Sequence, residues 1–385
     1  MKTNRFLYIT SLAAAALVLR FVFVGFFAYD NFFVKLAAVI IILGAGSAFV
    51  LRGTAKVIEE TTEVLSEKTK LAGGLLQSFG TAFPDMVLGV IAALVSLRLK
   101  NTDYARAVNF AIIAAATTFG SNIYNIGHAA WCIFRQNLAN AQNNAVLMFP
   151  FSKKGGSVLP INQHHLKPSL AEFDVAIDVS NALTLLTAVV AMSMVLFGQI
   201  KNPPPGFAGD LYQLIKPVGF AVFALAVFVL YRFRKNKRRT DSKSEEEENY
   251  YRHRSAFTLW SSLLAAGATI LFVAESMVRA IEVFCEITGI PFVIAGVLAG
   301  VIGCLGEMIV IHNFSVNPKG RLGDAVVGVA MDNIVTILGA SLVAIMGGIF
   351  LGGNALILIF VVILTLNTVL IWQISRLKNY FLAAT

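Results

Sequence analysis

LAGGLLQSFGTAFPDMVLGVIAALVSL at 71–97 and ARAVNFAIIAAATTFGSNIYNIGHAAWCIF at 105–134 are the stretches that decide the fold. Each is longer than the roughly 20 apolar residues that cross a hydrocarbon core of about 30 Å as helix. Each nevertheless carries groups that lipid does not tolerate: Thr81 and Asp85 in the first, Ser121, Asn122 and Asn125 in the second. Backbone amides in lipid must be satisfied within their own segment, so apolar blocks of this length read as helices. A carboxylate inside one marks a cavity or a partner, since a central Asp costs about 2.5 to 3.5 kcal/mol to insert.

The rest of the chain has the same character. Of its 385 residues, 57% are hydrophobic and only 14% charged, against roughly 25% charged in soluble domains. No period-two alternation suggests a barrel. The formal charge of +9 sits between apolar blocks, mainly around 232–254 and at the C-terminus. That distribution follows the positive-inside bias of cytoplasmic loops and leaves no soluble basic domain to bind nucleic acid. Cys132, Cys285 and Cys304 lie in or beside apolar blocks without CxxC spacing, so they imply neither a disulfide framework nor a zinc site.

Ten apolar segments can be marked, at about 6–29, 33–55, 71–97, 105–134, 175–198, 213–232, 256–283, 290–314, 323–350 and 354–375. The expected fold is an all-α polytopic membrane protein of about ten transmembrane helices. Residues 1–30 form an extra first span, retained because its apolar run is long for a signal peptide. Residues 33–232 form a first membrane half, 233–255 a charged linker and 256–376 a second half. The linker (FRKNKRRTDSKSEEEENYYRHR at 233–254) cannot enter lipid and is placed in the cytoplasm, with both termini. Lys153, Lys154, Lys167, Lys319 and Arg321 then face inward, while Arg98, Lys100 and Arg106 land outside as exceptions. The expected location is the plasma or inner membrane, in contact with the lipid bilayer. The connection 135–174 holds His164-His165 followed by Glu172, Asp174 and Asp178, and reads as a polar loop because this spacing fits no defined metal site.

The sequence also repeats itself. Residues 44–64 align with 267–287 at an offset of 223, with Gly44-Ala45 on Gly267-Ala268, Lys56 on Arg279 and Ile58-Glu59 on Ile281-Glu282. A Gly-rich span follows in both copies and ends in an acid, Asp85 on Glu307 at an offset of 222. A third span holds GSNIYNI at 120–126 and GVAMDNI at 328–334, with Asn125 on Asn333. The copies start five spans apart, and an odd offset gives them opposite orientation in the membrane, the inverted-repeat plan of many secondary transporters.

Asp85 and Glu307 are therefore paired intramembrane acids, each beside helix-weakening residues. Pro84 removes a donor and crowds the Gly80 carbonyl, which favours a kink, and Gly303 and Gly306 loosen the second copy. Freed carbonyls, two carboxylates, hydroxyls and side-chain amides make a hard-oxygen site suited to Na⁺ or Ca²⁺. Ser121 and Asn125 fall on one helix face, and Asn333 has Asp332 and Thr336 nearby. Ser and Asn also serve as helix–helix glue in membranes, and that reading stays open for Ser121 and Asn125 individually. His128 and His312 lie near these motifs, either as titrating groups or as neutral packing residues.

Gly80-Thr81-Ala82-Phe83-Pro84-Asp85 and Gly120-Ser121-Asn122-Ile123-Tyr124-Asn125 resemble the two motifs of the calcium/cation antiporter superfamily, which includes the sodium/calcium exchangers. The second copy departs from that pattern. Ile302-Gly303-Cys304-Leu305-Gly306-Glu307 keeps the acid and loses Thr, Ser and Pro, and Gly328-Val329-Ala330-Met331-Asp332-Asn333 loses the Ser-Asn pair. The resemblance covers about 36–350. It implies antiport by alternating access, Ca²⁺ or a similar cation against Na⁺ or H⁺, with cations bound transiently and no cofactor. It implies Asp85 and Glu307 as central ligands, with Thr81, Ser121, Asn125 and Asn333, and Asp332 beside it, around them. Two other readings are weighed. An intramembrane aspartyl protease would need a G-x-G-D signature, which Gly320-Arg321-Leu322-Gly323-Asp324 does not supply, so no enzyme is expected. A transporter-derived protein that no longer transports is the remaining alternative, suggested by the eroded second copy.

Overall fold

The computed structural model describes residues 5–69, 73–164, 168–203, 210–237, 250–317, 322–347 and 350–384. The side chains at 63, 66–69, 73–85, 233–237, 306, 322–326, 383 and 384 lie outside the description, as does most of the charged linker. Among the described residues the chain is built almost wholly of helices: α1 (Arg5–Val18), α2 (Phe32–Ala45), α3 (Arg52–Thr69), α4 (Gly73–Leu99), α5 (Tyr104–Gln142), α6 (Leu170–Phe197), α7 (Lys216–Lys237), α8 (Ala256–Thr288), α9 (Phe292–Val316), α10 (Leu322–Met346) and α11 (Gly353–Ala384). A π-helical turn, Gly46–Leu51, joins α2 to α3, so the eleven helices make ten rods.

Six of these are long and apolar enough to cross a bilayer by composition alone: Arg5–Ala28, Phe32–Thr62, Leu170–Phe197, Ala256–Thr288, Val327–Met346 and Gly353–Leu382. The bent pair Phe292–Leu305 and Glu307–Val316 makes a seventh. Helix α5 fails that test because it is rich in Asn, Gln and Thr, and its surroundings explain why it can be. Of its 39 residues 26 are buried, so its polar face looks at protein rather than lipid.

Short β-pieces close the two ends. Strands β1 (Val146–Phe149) and β2 (Ser152–Val158) pair as an antiparallel hairpin. It is fastened to α5 by Trp131, which donates to the Met148 carbonyl at 3.1 Å, by Arg135 to Leu147 at 2.8 Å, and by Gln136 to Leu159 at 2.7 Å. Gly156, at φ +77°, turns this hairpin against Val316 at the end of α9, a backbone shape that favours glycine. At the opposite end β3 (Leu211–Gln213) pairs antiparallel with β4 (Phe350–Gly352), which ties the α6–α7 and α10–α11 connections together. The loop 135–174 is thus partly strand rather than an open polar loop, because α5 supplies donors for its carbonyls.

Ion pairs hold the extra first helix. Arg5 meets Glu60 of α3 at 2.6 Å, and Arg20, in the π-helical stretch Leu19–Phe23, meets Glu275 of α8 at 2.9 Å. Arg279 reaches the same Glu275 carboxylate at 3.1 Å. Tyr250 and Tyr251 return from the linker onto this corner, with the Arg5 guanidinium 5.9 Å from the Tyr250 ring. Tyr251 is fully buried, and that burial pushes its hydroxyl above the ordinary tyrosine range. Arg106, an exception to the charge bias in the sequence, donates to both oxygens of the buried Glu282. A cation already neutralised by protein does not bias orientation as a free loop charge does.

Candidate functional site

Four helices meet at the centre: α4 and α5 from the first half, α9 and α10 from the second. The acid-bearing helix of each half packs on the Asn-bearing helix of the other. Helix α9 runs parallel to α5, with Gly296 against Ile113 and Ala116, and Gly300 against Thr117, Gly120 and Ser121. A Cβ at Gly300 would stand 2.6 Å from the Ser121 nitrogen, and one at Gly120 would stand 2.8 Å from the Val297 Cα. Glycines four apart let two backbones approach this closely, as small-xxx-small pairs do in membranes. Helix α4 likewise runs parallel to α10, with Met86 against Gly339 and Leu97 against Gly347.

The α5–α9 approach brings Asn125 and Glu307 together. The Asn125 amide nitrogen donates to Glu307 Oε2, and the two residues are 1% and 5% exposed. Helix α9 bends by 54° between Leu305 and Glu307, at the glycines expected to loosen it. In α4 the helical backbone continues through Pro84. The Thr81 and Asp85 side chains lie outside the described residues.

Other polar groups on the same central helices are buried with acceptors to spare. Asn122 is completely buried, and neither its amide oxygen nor its amide nitrogen has a hydrogen-bond partner. Asn125 Oδ1, Asn333 Oδ1 and Thr117 Oγ1 are also buried and unpartnered. Buried polar groups are normally satisfied, so a concentration of them on α5 and α10 requires a cause. Ser121, by contrast, spends its hydroxyl on the Thr118 carbonyl at 2.9 Å, and Asn333 donates to the Val329 carbonyl at 2.9 Å. Thr336 donates to the Asp332 carbonyl at 3.0 Å, and Asp332 itself is 6% exposed. Among the described residues no three His, Cys, Asp or Glu side chains gather as metal ligands. A cation held here would draw mainly on amide, hydroxyl and carbonyl oxygens around a few carboxylates, a hard-oxygen donor set.

The sequence marked His128 and His312 without placing them together. Their rings stack at 5.9 Å with 15° between planes, and Phe149 of the hairpin stacks on His312 at 5.5 Å and 18°. No linear signal could announce this, since 184 positions separate the two histidines.

No family model and no curated protein matches the sequence. Solved structures do match its shape. An H⁺/Ca²⁺ exchanger, CAX, superposes with a TM-score of 0.54 at 12% identity, covering 99% of this chain and 98% of that one. The structure of native YfkE gives 0.51 at 14% identity over 91% and 97%. The fold is the one these two solved structures share, and at such identities the likeness is of fold while most side chains differ.

Proposed function

We propose that this protein is a secondary cation antiporter, exchanging Ca²⁺ or a similar cation for Na⁺ or H⁺ at a site around Asn125 and Glu307. The observation that carries this reading is the buried Glu307 carboxylate, met by an amide of the other half at the bend of α9, beside unpartnered amide oxygens. Asp85 is the second acid in this proposal, with Thr81, Ser121, Asn333 and Asp332 nearby. The matched crossings of α4 with α10 and of α5 with α9 support the inverted-repeat plan, in which the halves exchange partners across the centre. The CAX structure, whose name describes exchange of protons for calcium, makes the same class of substrate the first to try.

Asn125 has a stated part in this scheme. Its amide nitrogen donates to the Glu307 carboxylate, and its buried Oδ1 is an oxygen that could serve a cation at the same point. Charge coupling follows from low dielectric: occluding an unneutralised acid pair is costly, so the site changes sides mainly when filled. The charged linker and both termini are placed in the cytoplasm, and the protein in the plasma or inner membrane.

Radioactive Ca²⁺ uptake into proteoliposomes loaded with Na⁺, or with an outward proton gradient, tests the reading. Gradient-driven uptake lost in Asp85→Asn and in Glu307→Gln is the expected result. Uptake that survives both variants rejects this site. No uptake by the unaltered protein under any gradient rejects Ca²⁺ and favours the non-transporting alternative.

A further inference from the structure

The stacked rings of His128, His312 and Phe149 occupy a particular place. His128 follows Asn125 by three residues and His312 follows Glu307 by five, about 4.5 and 7.5 Å along their helices at 1.5 Å per residue. They lie between the same two helices as the central pair, on the side of the β1–β2 hairpin. Phe149 joins that hairpin to the stack, and is itself packed over Gly155. Both histidines are only partly buried, and Phe149 is 39% exposed. Phe149 therefore covers one face of His312 at this end of the molecule.

We propose that His128 and His312 form a proton-binding site, distinct from the cation site, that gates access to it from the hairpin side. The gating role rests on the antiporter reading; the proton site does not. Neutral imidazoles stack well face to face, as aromatic rings at these separations do. When both rings are protonated they become like charges stacked on one another, and in a partly dry setting they repel. The rings are carried by α5 and α9, and the third ring by the hairpin, so repulsion parts the stack and lifts Phe149 away. Acidification on this side opens the gate and alkaline conditions close it.

His128 also has a hydrogen bond with the Met308 backbone of α9, and other groups lie around the pair. From α5 come Cys132, whose sulfur is 3.6 Å from His128 Nε2, and Arg135, committed to the Leu147 carbonyl. From α9 comes Glu307, held by Asn125. From the hairpin come exposed Lys153 and Lys154, and α11 meets this part of α5 through Leu366 near Gly127. None of these described contacts places a carboxylate against either imidazole to hold it charged.

Trp131 offers a readout that needs no ion flux, because its indole donates to Met148 in the same hairpin. Full-length protein with Trp260→Phe and Trp372→Phe leaves Trp131 as its only tryptophan. In liposomes, lowering the pH from about 8 to about 4 is expected to red-shift its emission as the hairpin moves. His312→Phe keeps three stacked rings and removes the second charge, so the shift is expected to vanish, as it is in His128→Phe. No shift before substitution overturns the proposal. A shift that persists in His312→Phe reports simple titration of His128 beside Trp131 and overturns it too. A pH-dependent shift in protein that carries no Ca²⁺ under any gradient leaves the proton site standing and rejects Ca²⁺ as the substrate of the antiporter reading instead.

Discussion

The two central crossings are built alike and filled differently. Where α9 meets α5, Gly296, Gly300 and Gly120 bring backbone against backbone. Where α4 meets α10, Gly339 and Gly347 face the side chains of Met86 and Leu97. The first contact is rigid because peptide groups cannot move aside; the second is adjustable because thioether and isobutyl groups can. Of the two similar stretches, the second carries Gly303 and Gly306 where the first has Thr81 and Pro84. That trade makes sense at this crossing: close backbone approach puts Glu307 within reach of Asn125, and a side chain in place of Gly300 would hold them apart.

The sharpest way to break the comparison is Gly300→Ala, whose methyl would collide with Ser121, Gly120 and Thr117 backbone atoms at 2.6 to 2.9 Å. A loss of about 3 kcal/mol or more is expected from overpacking against groups that cannot yield, read as a fall in the thermal unfolding midpoint in detergent. A smaller effect should follow Asn125→Ala, which withdraws the donor from a buried carboxylate. About 1 to 3 kcal/mol is the usual cost of such a loss. Adding Glu307→Gln should recover part of it, and a double-mutant cycle with no coupling would show that the pair does not act as a unit. Gly339→Ala should matter least, at under about 1.5 kcal/mol, because the Met86 Cγ that it meets at 2.5 Å belongs to a flexible side chain. Equal losses for Gly300→Ala and Gly339→Ala would erase the distinction between the crossings.

Much of this was legible in the linear text. The apolar blocks announce membrane helices because lipid leaves the backbone no other partner. Helix α5, with its Asn and Gln residues, shows that a polar block can also be a rod when neighbours cover it. The glycines before Glu307 announced a weak point, and α9 bends there; at Pro84 the α4 backbone is helical on both sides. Proline at position 84 removes one donor, and a helix clamped by neighbours on several sides can continue without it. Of the cationic outliers at 98–106, Arg106 has its partner far along the chain at Glu282, which no local reading could supply.

What the sequence determined by itself was chemical identity and period: which segments cross the membrane, which residues lipid would reject, and which stretches echo one another. These are local properties, set by hydropathy over a span and by residue spacing on a helix. What only the tertiary structure decided was partnership. Asn125 finds Glu307 across 182 positions, His128 finds His312, and a hairpin within a polar connection lays Phe149 on His312. Those meetings depend on how closely two helices approach and at what rotation. Helix approach is set by the glycines of both partners together, so neither segment alone contains it.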